Sequence, residues 1–205
     1  GRMVDTQPGD ICILTRKNAG DSTLGIVRAL TDAGYGVEGA GDGDLLKRPE
    51  IRQLIDILSL IDNCQQDIPL ATALLSPLGG FTRDELARIR ISQGSVPKMS
   101  YRDCLVNYRK YANDSLACKI AAFFAKVNVY RRVSDILGAA SLIEKILADT
   151  GRGAQYSAGG GAKLAGVRRL QQEAYSAGGE LQLNAFLSRL KALKSLKAAV
   201  PSSSD

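Results

Sequence analysis

Histidine and tryptophan are both absent from the 205 residues. Without an imidazole there is no Ser-His or Cys-His nucleophile pair and no His ligand for a metal, which removes most hydrolase and metalloenzyme readings. The four cysteines, Cys12, Cys64, Cys104 and Cys118, have no C-x-x-C spacing. With no secretory leader ahead of them they read as buried thiols of a reducing compartment, and neither a metal site nor a disulfide framework is expected. No apolar run reaches the roughly 18 residues of a membrane span. The expectation is therefore a cytoplasmic chain without a membrane partner. Aromatic residues make up 5%, which disfavours base stacking on single strands and leaves contact with a nucleic-acid backbone open. Phosphate loops are missing as well. No G-x-x-x-x-G-K-[ST] occurs, and in Gly39-Ala40-Gly41-Asp42-Gly43-Asp44 the third glycine of a dinucleotide fingerprint is replaced by Asp44. That stretch reads as a flexible turn.

What is present is a 45% apolar chain with a net charge of +6, long enough to build a real core and inclined toward polyanionic partners. The excess is C-terminal. Residues 151–200 hold Arg152, Lys163, Arg168, Arg169, Arg189, Lys191, Lys194 and Lys197 against only Glu173 and Glu180. Arg189, Lys191, Lys194 and Lys197 flank the apolar stripe of one predicted helix, where they either meet phosphates or form an ordinary solvated face.

The periodicity predicts a mainly α chain with a small α/β portion. Asp10-Ile11-Cys12-Ile13-Leu14-Thr15 reads as a short buried parallel strand, Leu24, Val27 and Leu30 as the face of a helix stopped at Gly34, and residues 35–38 as a second strand. Seven to nine helices and two or three strands are expected in all. Ile51, Leu54, Ile55, Leu58 and Ile61 share one helix face, with Asn63 a stop; Pro69 suits a first turn, and Ser76-Pro77 a break. Thr82-Arg83-Asp84-Glu85 and Ser141-Leu142-Ile143-Glu144 both have capping-box spacing. Ser100 and Asn113 or Asp114 are further helix starts. Leu116, Ile120, Phe123, Phe124, Val127 and Tyr130 form a core stripe, as do Leu183, Phe186, Leu187, Leu190 and Leu193.

Arg16 directly follows the first predicted strand, a place where α/β units gather ligands, so it is either a phosphate-facing guanidinium or a surface Arg. Here a resemblance enters. Residues 10–18, Asp-Ile-Cys-Ile-Leu-Thr-Arg-Lys-Asn, resemble motif IV of the UvrD-like superfamily 1 helicases, and Lys47-Arg48-Pro49-Glu50-Ile51 resembles its R-x-E-I continuation. Residues 60–70, with Ile61-Asp62-Asn63 and Gln66-Asp67-Ile68-Pro69-Leu70, and residues 74–86 resemble the AddA subunit of bacterial ATP-dependent helicase/nuclease complexes.

The resemblance implies an incomplete RecA-like strand-helix-strand unit (part of domain 2A) over residues 1–50. A multi-helix 2B-type insertion over 51–200 and a linker at 201–205 would follow. It implies that Arg16 reaches the γ-phosphate of an ATP held with Mg by other parts of the full-length motor, acting as both a catalytic and a cofactor-binding residue. Thr15 stands where relatives often carry an adenine-stacking Tyr. It also implies that Gly79, Gly80, Thr82 and Arg83 lie where relatives contact duplex backbone, with Phe81 in place of that pattern's second glycine. The alternative for these residues is a plain turn leading into a helix. The implied partners are double-stranded DNA near a fork or end, the remaining motor domains and a partner nuclease subunit, in break repair and recombination. The isolated chain is expected to be inactive. The competing reading is a helical protein-interaction or regulatory module without direct DNA contact.

Overall fold

A computed structural model describes residues 8, 11–14, 21–35, 37, 45–94, 99–158, 162–176 and 180–199. Among them the regular elements are helical: α1 (Asp21–Asp32), a 3-10 turn (Leu45–Lys47), α2 (Pro49–Asp62), α3 (Asp67–Leu75), α4 (Arg83–Ile91) and α5 (Tyr101–Tyr111), then α6 (Ser115–Ser134), α7 (Ala139–Asp149), α8 (Arg152–Ala158), α9 (Ala162–Tyr175) and α10 (Leu183–Ala199). This exceeds the seven to nine helices expected, because the segment around Arg152 forms a short helix of its own.

Helix α2 organises the core. Pro49 occupies its first turn, and Ile51, Leu54, Leu58 and Ile61 recur at three- and four-residue intervals with 4% exposure or less. Full burial of such side chains stabilises by about 1.5–3 kcal/mol each, far more than any propensity difference along the helix. The stripe lets α2 pack against α3, α6, α9 and α10. Asn63 ends the helix in extended geometry, its N–H donating to the Ser59 carbonyl at 2.8 Å. Helices α5 and α6 open on Ser100 and Asp114, whose side chains accept from the Asp103 and Ala117 amides. Leu116, Ile120, Phe123, Val127 and Tyr130 are buried, as are Leu183, Phe186, Leu187 and Leu190.

Three expectations are corrected. Residues 11–14 are not a buried strand: they are irregular, with Ile11 65%, Ile13 53% and Leu14 91% exposed. A strand's backbone groups are satisfied only by a neighbouring strand, and none pairs with this run among the described residues. Tyr35 and Val37 likewise lie outside any strand. Instead the Tyr35 amide reaches back to the Leu30 carbonyl at 2.9 Å around Gly34 at φ +85°, closing α1 as a Schellman-type cap. Second, Ser141 does not open its helix. Helix α7 begins at Ala139 behind Gly138, and the Ser141 amide and hydroxyl both donate to the Glu180 carboxylate. Third, only Cys104 is a buried thiol; Cys64 is half-buried, and Cys12 and Cys118 are exposed.

Candidate nucleic-acid interface

The turn between α3 and α4 is built by its own backbone. The Ser76 carbonyl accepts from the Gly79 and Gly80 amides at 3.1 and 2.7 Å, and the Leu74 carbonyl accepts from Phe81 at 2.9 Å. The Thr82 amide donates to Glu85 Oε2 at 2.8 Å while Thr82 Oγ1 accepts from the Glu85 amide at 3.1 Å, completing the predicted capping box. Four successive amides, Gly79 to Thr82, are thus committed inside the protein. Helix geometry leaves the Arg83 and Asp84 amides at the open end of α4, beside the exposed Arg83 side chain and the opposing Asp84 carboxylate. Any phosphate here meets Arg83 and those two amides. The glycine amides are already occupied.

The two glycines serve different ends. A Cβ on Gly79 would lie 2.5–2.9 Å from backbone atoms of Ala73 and Leu74, so its bareness lets the turn close on the end of α3. Gly80 has open space around it but sits at φ +65°. Phe81 follows as the anchor: it is buried and meets Phe123 edge-on, with ring centroids 6.1 Å apart. Lys119 lies 4.7 Å from the Phe81 ring centroid and 2.7 Å from Glu85 Oε2. Hydrogen bonding from Lys119, and then from the Thr82 amide, holds the Glu85 carboxyl below its ordinary range. This knot of Phe81, Lys119 and Glu85 was not foreseen in the sequence, because 34 residues separate Lys119 from its carboxylate.

Lys191 and Lys194 are exposed on the C-terminal part of α10, beyond its buried Phe186, Leu187 and Leu190. Arg189, expected beside them, is partly engaged with Glu173 at 3.6 Å. The side chain of Lys197 and the whole of Arg16 lie outside the described residues. Gly79, Gly80, Thr82 and Arg83 are brought into one turn that packs on α6 through Phe81, whereas α10 rests chiefly on α2. The two expected cation groups therefore belong to different parts of the helical body. A polar groove of about 340 Å³ between the ends of α2 and α6 and the start of α10 also went unforeseen; Arg131, Arg132, Asp62 and Asp135 line it.

Among the described residues no group of three acidic, Cys or His side chains is placed to hold a metal ion. No helix is long and apolar enough to cross a membrane. With no phosphate loop in the sequence either, the described residues do not by themselves make a complete ATP–Mg site.

Residues 2–194 match the UvrD-like helicase C-terminal domain family, and the chain belongs to that family. Its relatives make the type more specific: it is 31% identical over 201 residues to the A subunit of the ATP-dependent helicase/nuclease of Heliobacterium modesticaldum, covering 89% of this chain and 14% of that protein. The same-named protein of Leuconostoc mesenteroides is 45% identical over 83 residues, 40% of this chain and 7% of that protein. Exonuclease/helicase subunit RexA of Lactococcus lactis subsp. cremoris is 31% identical over 150 residues, 70% of this chain and 12% of that protein. The chain thus spans a small part of the length of each.

Proposed function

We propose that this chain is the accessory, duplex-contacting region of an ATP-dependent DNA helicase/nuclease that acts on broken or forked DNA. The observation that carries the reading is the family match across residues 2–194. The exposed cations Arg83, Lys191 and Lys194 on a described helical surface support it. Contacts of this kind neutralise phosphates and carry little sequence information, so binding should weaken steeply with salt. Residues 1–50 are assigned to part of a RecA-like unit and residues 51–200 to the 2B-type body. Arg16 is assigned to the γ-phosphate of an ATP held with Mg by other domains, where a permanently charged planar donor stabilises developing phosphoryl charge. The chain alone should not hydrolyse ATP. The remaining motor domains and a nuclease subunit would be its protein partners.

Fluorescence anisotropy with a duplex carrying a single-stranded tail, titrated at two salt concentrations, tests the duplex contact. Arg83→Glu should weaken binding about tenfold, and Lys191→Glu with Lys194→Glu should in addition flatten the salt slope by up to about two phosphates' worth. Affinity and slope that ignore both variants would remove these residues from the interface.

A further inference from the structure

Helix α6 carries two regular stripes, and only one of them faces the core. Leu116, Ile120, Phe123, Val127 and Tyr130 recur at intervals of four and three residues and are buried. Two positions on, about 200° around the helix, Cys118, Ala122, Ala125, Val129 and Arg132 repeat the same intervals and continue into the turn at Ile136. All six are exposed. Val129 on the helix is 50% exposed and Ile136 in the turn after it 84%, which leaves aliphatic surface bare at both places. This four-three spacing is the seam by which helices pair lengthwise, and alanines in it permit a close approach.

Within α6 the charge beside the seam has one sign, and Asp135 follows only at the C-terminal cap. The 20-residue sequence of α6 contains Lys119, Lys126, Arg131 and Arg132 and no acidic residue. Lys119 is taken by Glu85 at 2.7 Å, and the Arg131 guanidinium lies 3.5 Å from Cys64 Sγ. Lys126 and Arg132 make no ion pair among the described residues. A second copy of α6 laid on this seam would set these cations against their own kind. DNA is a poorer match for a different reason: Ala122, Ala125, Val129 and Ile136 offer phosphates no donor. The mixed-charge groove holding Arg132, Asp135 and Asn184 adjoins the C-terminal end of the stripe, and suits the polar end of a docked element.

We infer that the outer face of α6, from Cys118 to Ile136, is a docking seam for an amphipathic helix of a partner protein, one with a small or aliphatic seam and acidic flanks. This surface does not include Arg83 or the α10 lysines Lys191 and Lys194, so it stands whether or not those residues contact duplex.

The test uses the full 205-residue chain and two synthetic helices of about three heptads, identical in an Ala/Leu seam and flanked by Glu in one and by Lys in the other. The Glu-flanked peptide should bind saturably and slow maleimide alkylation of Cys118, read by mass spectrometry. Lys126→Glu with Arg132→Glu should weaken it at least tenfold and transfer preference to the Lys-flanked peptide. Val129→Lys should weaken both. These positions are exposed, and circular dichroism will verify that each variant keeps its helicity. Equal binding of the two peptides, or binding of neither at about 0.2 mM, would overturn the proposal. So would peptide-free self-association that protects Cys118, or protection of Cys118 by tailed duplex in place of the acidic peptide.

Discussion

At Gly79 and Gly80 one dipeptide meets two unrelated constraints. Alanine at 79 must push its Cβ against fixed backbone of α3, with Leu74 O at 2.5 Å and no flexible side chain to yield. At 80 the alanine finds space but a backbone at φ +65°. Gly79→Ala should therefore cost about 1–3 kcal/mol by displacing the turn, and Gly80→Ala about 1–2 kcal/mol from left-handed strain alone. Urea unfolding measures both. Only Gly79→Ala should also disturb the Phe81–Phe123 contact, visible as a shift in the aromatic NMR signals. The pair was legible as a turn because two glycines follow a Ser-Pro break. Which glycine answered to conformation and which to close approach was not, since that depends on where Leu74 ends up.

Among the elements, α7 is held at its start from outside its own sequence. The Glu180 carboxylate takes the Ser141 amide, and Ser141 Oγ donates to it at 3.1 Å. The Ala139 amide donates to the Leu181 carbonyl at 2.8 Å, and Leu181 in turn donates to Ala174 in α9. One short connection therefore ties α7, α9 and α10 together. Glu180→Ala removes an anionic cap from a helix N-terminus and should cost about 1 kcal/mol. Hydrogen exchange should quicken first in the opening turn of α7, while the opening turn of α4 keeps its protection. Equal loosening of both helices would mean that Glu180 acts on global stability and not as a cap. The two Ser/Thr-x-x-Glu spacings look alike in the sequence, but at 141 a carboxylate 39 residues away competes for the amide. The run at 11–14 shows the complementary limit. Its β-branched composition is suited to a strand, yet a strand exists only where a neighbour completes it.

Across the molecule, carboxylates and phenols link successive helices. The Ala117 amide, then the Tyr108 hydroxyl and Arg88, hold Asp114 low; the Tyr130 hydroxyl, then Lys145, holds Asp149 low. Together with Glu85 these bonds connect α4 to α5, α6 and α7. Burial pushes Tyr101 up to about 12, and burial and Asp149 raise Tyr130 further. The signs follow from linkage. The lowered carboxyls contribute stability that is present above their ordinary values, 3.8 for Asp and 4.5 for Glu, and is lost as pH falls through the lower values of the folded state. The raised phenols contribute stability that is present below 10.0 and is lost as pH rises through the higher folded values. Thermal melting should thus be nearly flat from about pH 5 to about pH 9 and fall on both sides. Melting that is unchanged down to about pH 2 would show that these bonds do not discriminate folded from unfolded chain.

Helix positions and the core stripes on α2, α6 and α10 followed from the order of residues alone, because three- and four-residue spacing sorts apolar from polar surface before any partner is known. The motor-family likeness was legible for a similar reason: its motifs are contiguous. Tertiary structure decided what depends on residues far apart in the chain. It brought Glu180 onto the start of α7, seated Lys119 between Phe81 and Glu85, and turned one of the two regular faces of α6 outward. Periodicity identifies a face that can be buried. Only the packing of other helices determines which face is buried and which remains bare.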